Sequence, residues 1–181
     1  MMRGESTGQT AEIPGPIKAI LLKEPKRVAA MLKGIGRLVI IVGDRIMEYE
    51  NEKFKPIDFI VDLAKSVNAH INVTGPLITK FREKGYEKIY LMPAMETIDR
   101  LRDPEWKGFD GEGGYRMAVF IGFYYYYEWL MLNGLKHFAY KWLRTLSLDP
   151  LYQPNATFSL PSMDVDKWRD FMLEVLNHIR G

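Results

Sequence analysis

Short apolar runs rich in β-branched and aromatic residues recur along the chain and predict buried strands. The clearest, RLVIIVG, occupies residues 37–43, and further runs follow at residues 70–75, 88–92, 115–122 and 143–149. Apolar side chains fill these runs with little alternation, which is typical of strands covered on both faces in a parallel sheet. We therefore expect a sheet with both faces buried beneath helices.

The segments between these runs carry apolar residues at helical spacing. Proline near the start and glycine near the end of some of them agree with the usual signals for helix boundaries. Strands that alternate with helices predict a three-layer, doubly wound α/β domain with a mostly parallel sheet and helices on both faces. The predicted helices cover residues 24–34, 56–67, 76–85, 93–102 and about 124–138, and a last helix begins after Asp164, its expected N-cap.

Less regular segments complete the prediction. Residues 1–16 are rich in Gly, Ser, Thr and Pro and are expected to form an N-terminal arm, which leaves residues 17–181 as a single α/β nucleotide-binding-like domain. Within that domain, residues 103–114 are predicted to form a glycine-rich loop, and residues 150–161 a coil punctuated by proline.

The composition excludes several classes of function. The 25 basic and 23 acidic residues give a net charge of +2, which provides no field for nucleic acid or for an anionic membrane. The chain has no cysteine, so it can form no disulfide and can offer no thiolate to an iron–sulfur cluster. The first residues show no secretory signal, and the longest apolar window is too short and too polar to span a bilayer, so a cytoplasmic location is expected.

The carboxyl ends of the predicted strands carry the residues expected to form a ligand site. In open parallel sheets, ligands bind beyond these ends, where the strand order reverses. Glycine there allows a phosphate to approach closely, and an acid can accept hydrogen bonds from hydroxyl or amino groups. The alternative for each position alone is an ordinary turn, as in the pair Asp149–Pro150. The candidate cofactor-binding residues are Gly43, Asp44, Arg45, Thr74, Gly75, Pro76, Gly122, Phe123, Tyr124 and Asp149.

No residue is predicted to be catalytic. His70, His137 and His178 are far apart in the sequence and share no metal-ligand spacing. Residues 34–39, GIGRLV, begin like a dinucleotide fingerprint, but they precede the strand, whereas a phosphate loop must follow it. The sequence contains no nucleophile elbow and no Walker loop.

Four consecutive tyrosines, Tyr124–Tyr127, open the helix that is predicted to end near Phe138. Because successive residues of a helix point about 100° apart, this helix is apolar nearly all round. Tyrosine suits an interface, since its ring is apolar and its hydroxyl is polar. We therefore expect the helix to contact another chain. When the protein is alone, we expect it to form a homo-oligomer through this helix. The alternatives are a core helix and rings that stack on a ligand.

Several stretches resemble one known family, the epsilon subunit of the archaeal acetyl-CoA decarbonylase/synthase (carbon monoxide dehydrogenase) complex. The most specific are DPEWKGFDGEGGY at residues 103–115 and the segment at residues 135–160. AEIPGP at residues 11–16, LVIIVG at residues 38–43 and VTGP at residues 73–76 also match. The resemblance extends over nearly the whole chain and involves no catalytic motif.

The resemblance implies a fold, a partner and a role. The fold is the flavin- and nicotinamide-binding type of the middle domain of thiamine-diphosphate oxidases, in which loops after the strands hold the dinucleotide. In the first of these loops Arg45 can pair with a pyrophosphate, whereas Asp44 would repel it. The partner is a large catalytic subunit with a nickel–iron–sulfur centre, so that every metal belongs to the partner. The chain is then a non-catalytic accessory subunit that stabilises this partner and assists electron transfer to FAD, in one-carbon metabolism of the methanogenesis type.

Two other functions stay open on the sequence alone. One is a free-standing oxidoreductase that binds FAD or NAD, and the other is a purely structural assembly module with an empty crevice. The oxidoreductase lacks a convincing acid, base or nucleophile in the predicted crevice. Binding of FAD or NAD by the purified chain would argue against the structural module.

Overall fold

The computed structural model describes residues 17–181, and the predicted N-terminal arm, residues 1–16, lies outside the described residues. A 3₁₀ helix, Asp44–Tyr49, follows the second strand. The strands of the described part are β1 (Ile20–Leu21), β2 (Leu38–Val42), β3 (His70–Val73), β4 (Ile89–Leu91), β5 (Met117–Ile121), β6 (Arg144–Ser147) and β7 (Phe158–Ser159). Its α-helices are α1 (Pro25–Gly34), α2 (Pro56–Val67), α3 (Ile78–Arg82), α4 (Ala94–Arg102), α5 (Tyr125–Phe138) and α6 (Val165–Arg180).

The seven strands of the described part form one sheet in the order β1-β7-β6-β5-β2-β3-β4, and every neighbouring pair runs parallel. The chain builds outward from β2 through β3 to β4 and then crosses to the other side of β2 to form β5. The strand order therefore reverses between β2 and β5, whose register pairs Leu38 with Met117 and Val42 with Ile121. In a doubly wound sheet, this reversal determines where a ligand crevice would open.

Alternate residues of the central strands are buried against different layers of helices. Leu38, Ile40 and Val42 of β2 belong to one hydrophobic cluster, together with residues of α1, α2 and α6. Val39 and Ile41 belong to the other, together with residues of α4 and α5. Every residue of β2 is at most 1% exposed, which explains why the sequence shows no alternation. The predicted three layers, with helices on both faces, are confirmed.

Two short strands differ from the sequence prediction. β7 forms within residues 150–161, where only coil is predicted, and β1 forms before α1, where no strand is predicted. The N–H of Ile20 donates to the carbonyl of Thr157 (2.9 Å), and that of Leu22 donates to the carbonyl of Ser159 (2.9 Å). Strands of two residues have no periodicity to detect, and they form because backbone groups at the edge of the sheet need partners.

The six predicted α-helices are present, and α3 is shorter than predicted. Asp164 is the N-cap of α6 as predicted, since its side chain accepts a hydrogen bond from the N–H of Lys167 (3.0 Å). Trp168, in the first turns of α6, is fully buried and donates its indole N–H to the carbonyl of Leu148 (2.6 Å). This bond fixes α6 to the segment that follows β6.

A buried histidine holds the glycine-rich loop, residues 103–114, at the amino-terminal edge of the sheet. His70 is the first residue of β3. Its Nδ1 lies 2.6 Å from the hydroxyl of Tyr115, and its Nε2 lies 3.3 Å from a carboxylate oxygen of Asp110, which also pairs with Arg37. Burial lowers the pKa of His70, so a neutral ring fits this network, with the Tyr115 hydroxyl donating to Nδ1. His70 thus supports the loop and lies away from the carboxyl ends of the strands.

Candidate functional site

The carboxyl ends of β2, β3 and β5 lie side by side, as a parallel sheet requires. The N–H of Gly43 donates to the carbonyl of Ile121 (2.9 Å). Both the N–H and the hydroxyl of Thr74 donate to the carbonyl of Val42 (3.1 and 3.0 Å). On the far side of β5, β6 brings Asp149 to the same edge. We call this edge the carboxyl rim, and it comprises residues 43–45, 74–76, 122–124 and 149.

Gly43 and Gly122 contact each other across the reversal point of the sheet. A Cβ at Gly43 would lie 2.2 Å from the carbonyl oxygen of Gly122, and a Cβ at Gly122 would lie 2.7 Å from that of Gly43. Gly122 also has a φ of +82°, which favours glycine. Ile46 of the 3₁₀ helix is fully buried against the same turn. Both glycines are therefore accounted for by close packing of two backbones, and the space between the turns is filled.

Asp149 holds the turn after β5. Its Oδ1 accepts a hydrogen bond from the N–H of Gly122 (2.7 Å), and its Oδ2 accepts one from the N–H of Phe123 (3.0 Å). The side chain is buried. Both carboxylate oxygens already bind the backbone. Asp149 therefore anchors the N-terminal end of α5, which begins at Tyr125, two residues after Phe123.

The charged residues of the first turn face one another and the solvent. Arg45 donates to Glu48 from Nε (2.9 Å) and from a terminal nitrogen (2.6 Å). Its guanidinium lies 4.8 Å from the ring centre of Tyr124, which is 60% exposed. Asp44 occupies the first turn of the 3₁₀ helix, where its negative charge opposes the approach of an anion. The expected pyrophosphate partner, Arg45, is thus already paired with a carboxylate.

The turn at residues 74–76 is the most open part of the carboxyl rim. A Cβ at Gly75 would meet no atom within 4 Å, and Pro76 is exposed. The hydroxyl of Thr74 is already bound to the carbonyl of Val42. This turn therefore offers open surface, and its hydroxyl contributes to the sheet.

FAD, which the resemblance implies, needs a crevice that its pyrophosphate can enter. On the carboxyl rim, backbone and Ile46 fill the space between the turns that follow β2 and β5. The neighbouring cavity, lined by Arg45, Phe123 and Gln153 among others, has a volume of about 20 Å³. That volume admits a single water molecule and no dinucleotide. The residues on the rim do not form a crevice that fits FAD.

Glu128, which the sequence analysis does not select, is a fully buried acid beside the carboxyl rim. Its Oε2 accepts from the side-chain amide of Gln153 (3.3 Å), and its Oε1 has no hydrogen-bond partner among the described residues. Burial raises the pKa of Glu128 well above its usual value, and the negative charge of Asp149 raises it further. Because Asp149 receives two backbone N–H groups, we assign the negative charge to Asp149 and the proton to Glu128. A sequence signal existed, since Glu128 shares a helical stripe with Met131 and Leu135.

Residues 17–181 contain neither a candidate metal site nor a candidate membrane span. No group of three or more His, Asp and Glu side chains in that range is arranged to hold a metal ion. None of the helices in the same range combines the length and the apolar character needed to cross a membrane.

Comparison with known proteins assigns the family. Residues 7–176 match the family described as CO dehydrogenase beta subunit/acetyl-CoA synthase epsilon subunit. The chain belongs to this family. Subunit epsilon 1 of the acetyl-CoA decarbonylase/synthase complex from Archaeoglobus fulgidus is 32% identical over 162 residues, which cover 86% of this chain and 83% of the relative. The epsilon subunits from Methanothermobacter thermautotrophicus and Methanothrix soehngenii are each 30% identical, over 88% and 93% of this chain and 88% of each relative.

The family match includes both stretches on which the resemblance mainly rests, residues 103–115 and 135–160, and confirms it. In this member of the epsilon-subunit family, the doubly wound fold is present while the crevice between β2 and β5 is closed. In this structure the turns of the carboxyl rim after β2 and β5 pack on each other and leave no open crevice between them. Surfaces elsewhere are therefore the better candidates for function.

Replacing Gly43 by Ala tests the closed crevice. The new Cβ must displace the Gly122 backbone, so we expect Gly43→Ala to lower the free energy of unfolding by about 2–3 kcal/mol in urea denaturation, in the range of overpacked cores. Gly75→Ala on the same rim meets no atom and should be neutral or stabilising by up to about 1 kcal/mol. Equal effects of the two substitutions would show that the crevice has room between its turns.

Replacing Glu128 by Gln tests the assignment of the proton. Because the folded-state pKa of Glu128 is raised, its protonated form contributes stability that is fully present below the unfolded-state pKa of about 4.3. That contribution is lost as pH rises toward the folded-state pKa. Gln cannot ionise. The stability of Glu128→Gln relative to wild type should therefore rise above about pH 4.5, by up to about 1.4 kcal/mol per pH unit. Denaturant titrations at several pH values measure this difference.

The control for this experiment is Glu48→Gln. Arg45 holds the pKa of Glu48 below its usual value, so this exposed pair contributes stability that is lost as pH falls through the folded-state value. Glu48→Gln should accordingly lose stability relative to wild type as pH rises, the opposite sign. Parallel pH profiles for wild type and Glu128→Gln would contradict a protonated Glu128.

Proposed function

We propose that this chain is an accessory, non-catalytic subunit of the carbon monoxide dehydrogenase component of an acetyl-CoA decarbonylase/synthase complex. Its role is to bind and stabilise a large subunit that carries the nickel–iron–sulfur centre. Membership of the epsilon-subunit family supports the proposal, as do relatives whose names describe complex subunits. A cysteine-free chain also suits a division of labour in which the metal ligands belong to the partner.

The observation that carries the proposal is the outer face of α5, which we define as Tyr126, Tyr127, Leu130 and Phe138. These positions lie within about 120° of one another on a helical wheel. Tyr126, Leu130 and Phe138 are 59–60% exposed, and Tyr127 is 38% exposed. Met131, Leu132 and Leu135, which follow farther round the helix, are buried in the core.

A helix that covers a sheet normally turns polar residues to the solvent. An exposed patch of tyrosine, leucine and phenylalanine instead favours contact with another protein, since tyrosine and phenylalanine are enriched in interface cores. Met95, on the neighbouring helix α4, is also half exposed and extends the apolar character of this layer. The outer face of α5 is therefore the surface that we assign to the large subunit, and to a second copy of the chain when it is alone.

Assistance of electron transfer to FAD is the second part of the role that the resemblance implies. The closed crevice gives no support to a flavin site on the carboxyl rim of this chain alone. The flavin role therefore stays a proposal that rests on the resemblance. No feature of the described residues favours a free-standing oxidoreductase.

Leu130→Glu tests the interface. A carboxylate in the centre of an apolar contact must be desolvated, so we expect affinity for the large subunit to fall at least about tenfold, or about 1.4 kcal/mol. The same change should convert a self-associated chain into a monomer in light scattering. Ile20→Glu is the matched control, because Ile20 is equally exposed and lies on β1 away from that face. Unchanged assembly of Leu130→Glu would overturn the assignment of this surface.

A flavin titration tests the cofactor. We expect the isolated chain to leave the fluorescence and anisotropy of micromolar FAD unchanged, because the rim has no crevice for the pyrophosphate. Addition of the large subunit then shows whether the assembled complex binds flavin. Saturable binding by the isolated chain, weakened by Arg45→Ala, would show that the rim opens in solution.

A further inference from the structure

A groove lies on the amino-terminal side of the sheet, opposite the carboxyl rim, where α5 ends and β1, β6 and β7 begin. Its volume is about 570 Å³, and its lining includes Ile20, Leu135, Tyr140 and Asn155. We call it the α5–β1 groove. Pockets for small molecules typically occupy about 300–1,000 Å³, so this groove has the size of such a site.

The body of the α5–β1 groove is apolar. Leu135 and Leu143 are buried at its base, and Ile20 and Tyr140 are each 59% exposed beside them. Removal of such surface from water is favourable, so the groove suits an apolar ligand body.

Basic side chains surround this apolar body, and none of them has an acidic partner among residues 17–181. Lys18, Lys136, His137 and Arg144 line the groove, and no Asp or Glu is among its described lining residues. None of the four forms an ion pair with a carboxylate of the described residues. Burial lowers the pKa of Lys136, because removal of an ammonium group from water disfavours its charged form.

Part of this positive charge is balanced by the end of α5. The C-terminus of a helix carries about −0.5 elementary charge. Arg144 donates to the carbonyl of Tyr140 (2.5 Å), just after the helix, and Lys136 donates to the carbonyl of Ile17 (2.6 Å). Three permanent cations exceed that partial charge, so the groove keeps a positive potential that an anionic group would neutralise.

Asn155 is a buried polar residue behind the groove surface. It lines the groove and is 1% exposed. Its side-chain amide donates to the carbonyl of Trp129 (3.4 Å), while its Oδ1 has no hydrogen-bond partner among the described residues. This oxygen is itself buried, so it belongs to the packing behind the groove surface.

We propose that the α5–β1 groove binds a small anionic amphiphile. The ligand has an apolar ring system or chain and a carboxylate, sulfonate or phosphate group that meets the basic residues. This site shares no residue with the carboxyl rim or with the outer face of α5, and it adds ligand binding to the proposed role in assembly.

Two dyes that differ by one group provide the test. 1-Anilinonaphthalene-8-sulfonate has an apolar body, an N–H and an anionic group, and N-phenyl-1-naphthylamine has the same body and N–H without the sulfonate. We expect the full chain to bind the sulfonate with one-to-one stoichiometry and at least about tenfold more tightly than the neutral dye. Added salt should weaken binding of the sulfonate and leave binding of the neutral dye unchanged.

Exposed substitutions locate the bound dye. Lys18→Glu and Ile20→Glu should each weaken binding of the sulfonate, the first by charge and the second by charge and loss of apolar contact. Lys26→Glu, on α1, is the matched control for charge, and Leu130→Glu is the matched control for an exposed apolar position. Both controls should retain binding. Because all four positions are on the surface, circular dichroism and the thermal transition can confirm that each variant is folded.

Three results would overturn the proposal. The first is equal affinity for the two dyes, and the second is binding that survives in Ile20→Glu but is lost in Leu130→Glu. The third is binding of the sulfonate to the isolated chain but not to the assembled complex. That result would show that the large subunit covers the groove and would assign the groove to a protein segment. The assembly assay with Leu130→Glu is independent of all three, so failure of the ligand site and failure of the interface are distinguishable.

Discussion

The backbone contact between Gly43 and Gly122 governs the geometry around the reversal of strand order. Where two turns approach so closely, a side chain on either would enter the other, and both positions are therefore glycine. Asp149 binds the N–H groups of Gly122 and Phe123, directly before α5. The direction of α5, and with it the orientation of its exposed outer face, thus depends on two residues that have no side chain.

This contact changes what the doubly wound fold provides. In folds of this kind the reversal point is ordinarily where a ligand enters, but here Ile46 and the two backbones occupy it. The remaining features that favour recognition are on the periphery: an apolar helix face and a basic-rimmed groove at the opposite edge. A domain of this design can act through binding while its sheet serves as a rigid frame.

The layered architecture and the position of the carboxyl rim could be predicted from the sequence, because strands buried on both faces give continuous apolar runs and parallel strands bring their ends together. The contact of Gly43 with Gly122 could not, because glycine in a strand-to-helix turn has the same sequence signal whether a phosphate or another backbone approaches. Glu128 interrupts an apolar stripe, but its proton depends on Asp149, which is distant in sequence. The α5–β1 groove was equally hidden, since Ile20, Tyr140 and Asn155 are brought together only by the pairing of β1 with β7.

That pairing also determines the order in which the sheet can be completed during synthesis. β1 is the first strand of the described chain, yet its partner β7 is the last, and Ile20 lies opposite Phe158. On the ribosome, β1 must wait until Phe158 and Ser159 of β7 have emerged, and β6 has an open edge during that time. Contacts between such distant segments form late and slow the final step of folding. Until β7 joins β6, that edge is therefore open to pairing with strands of other chains.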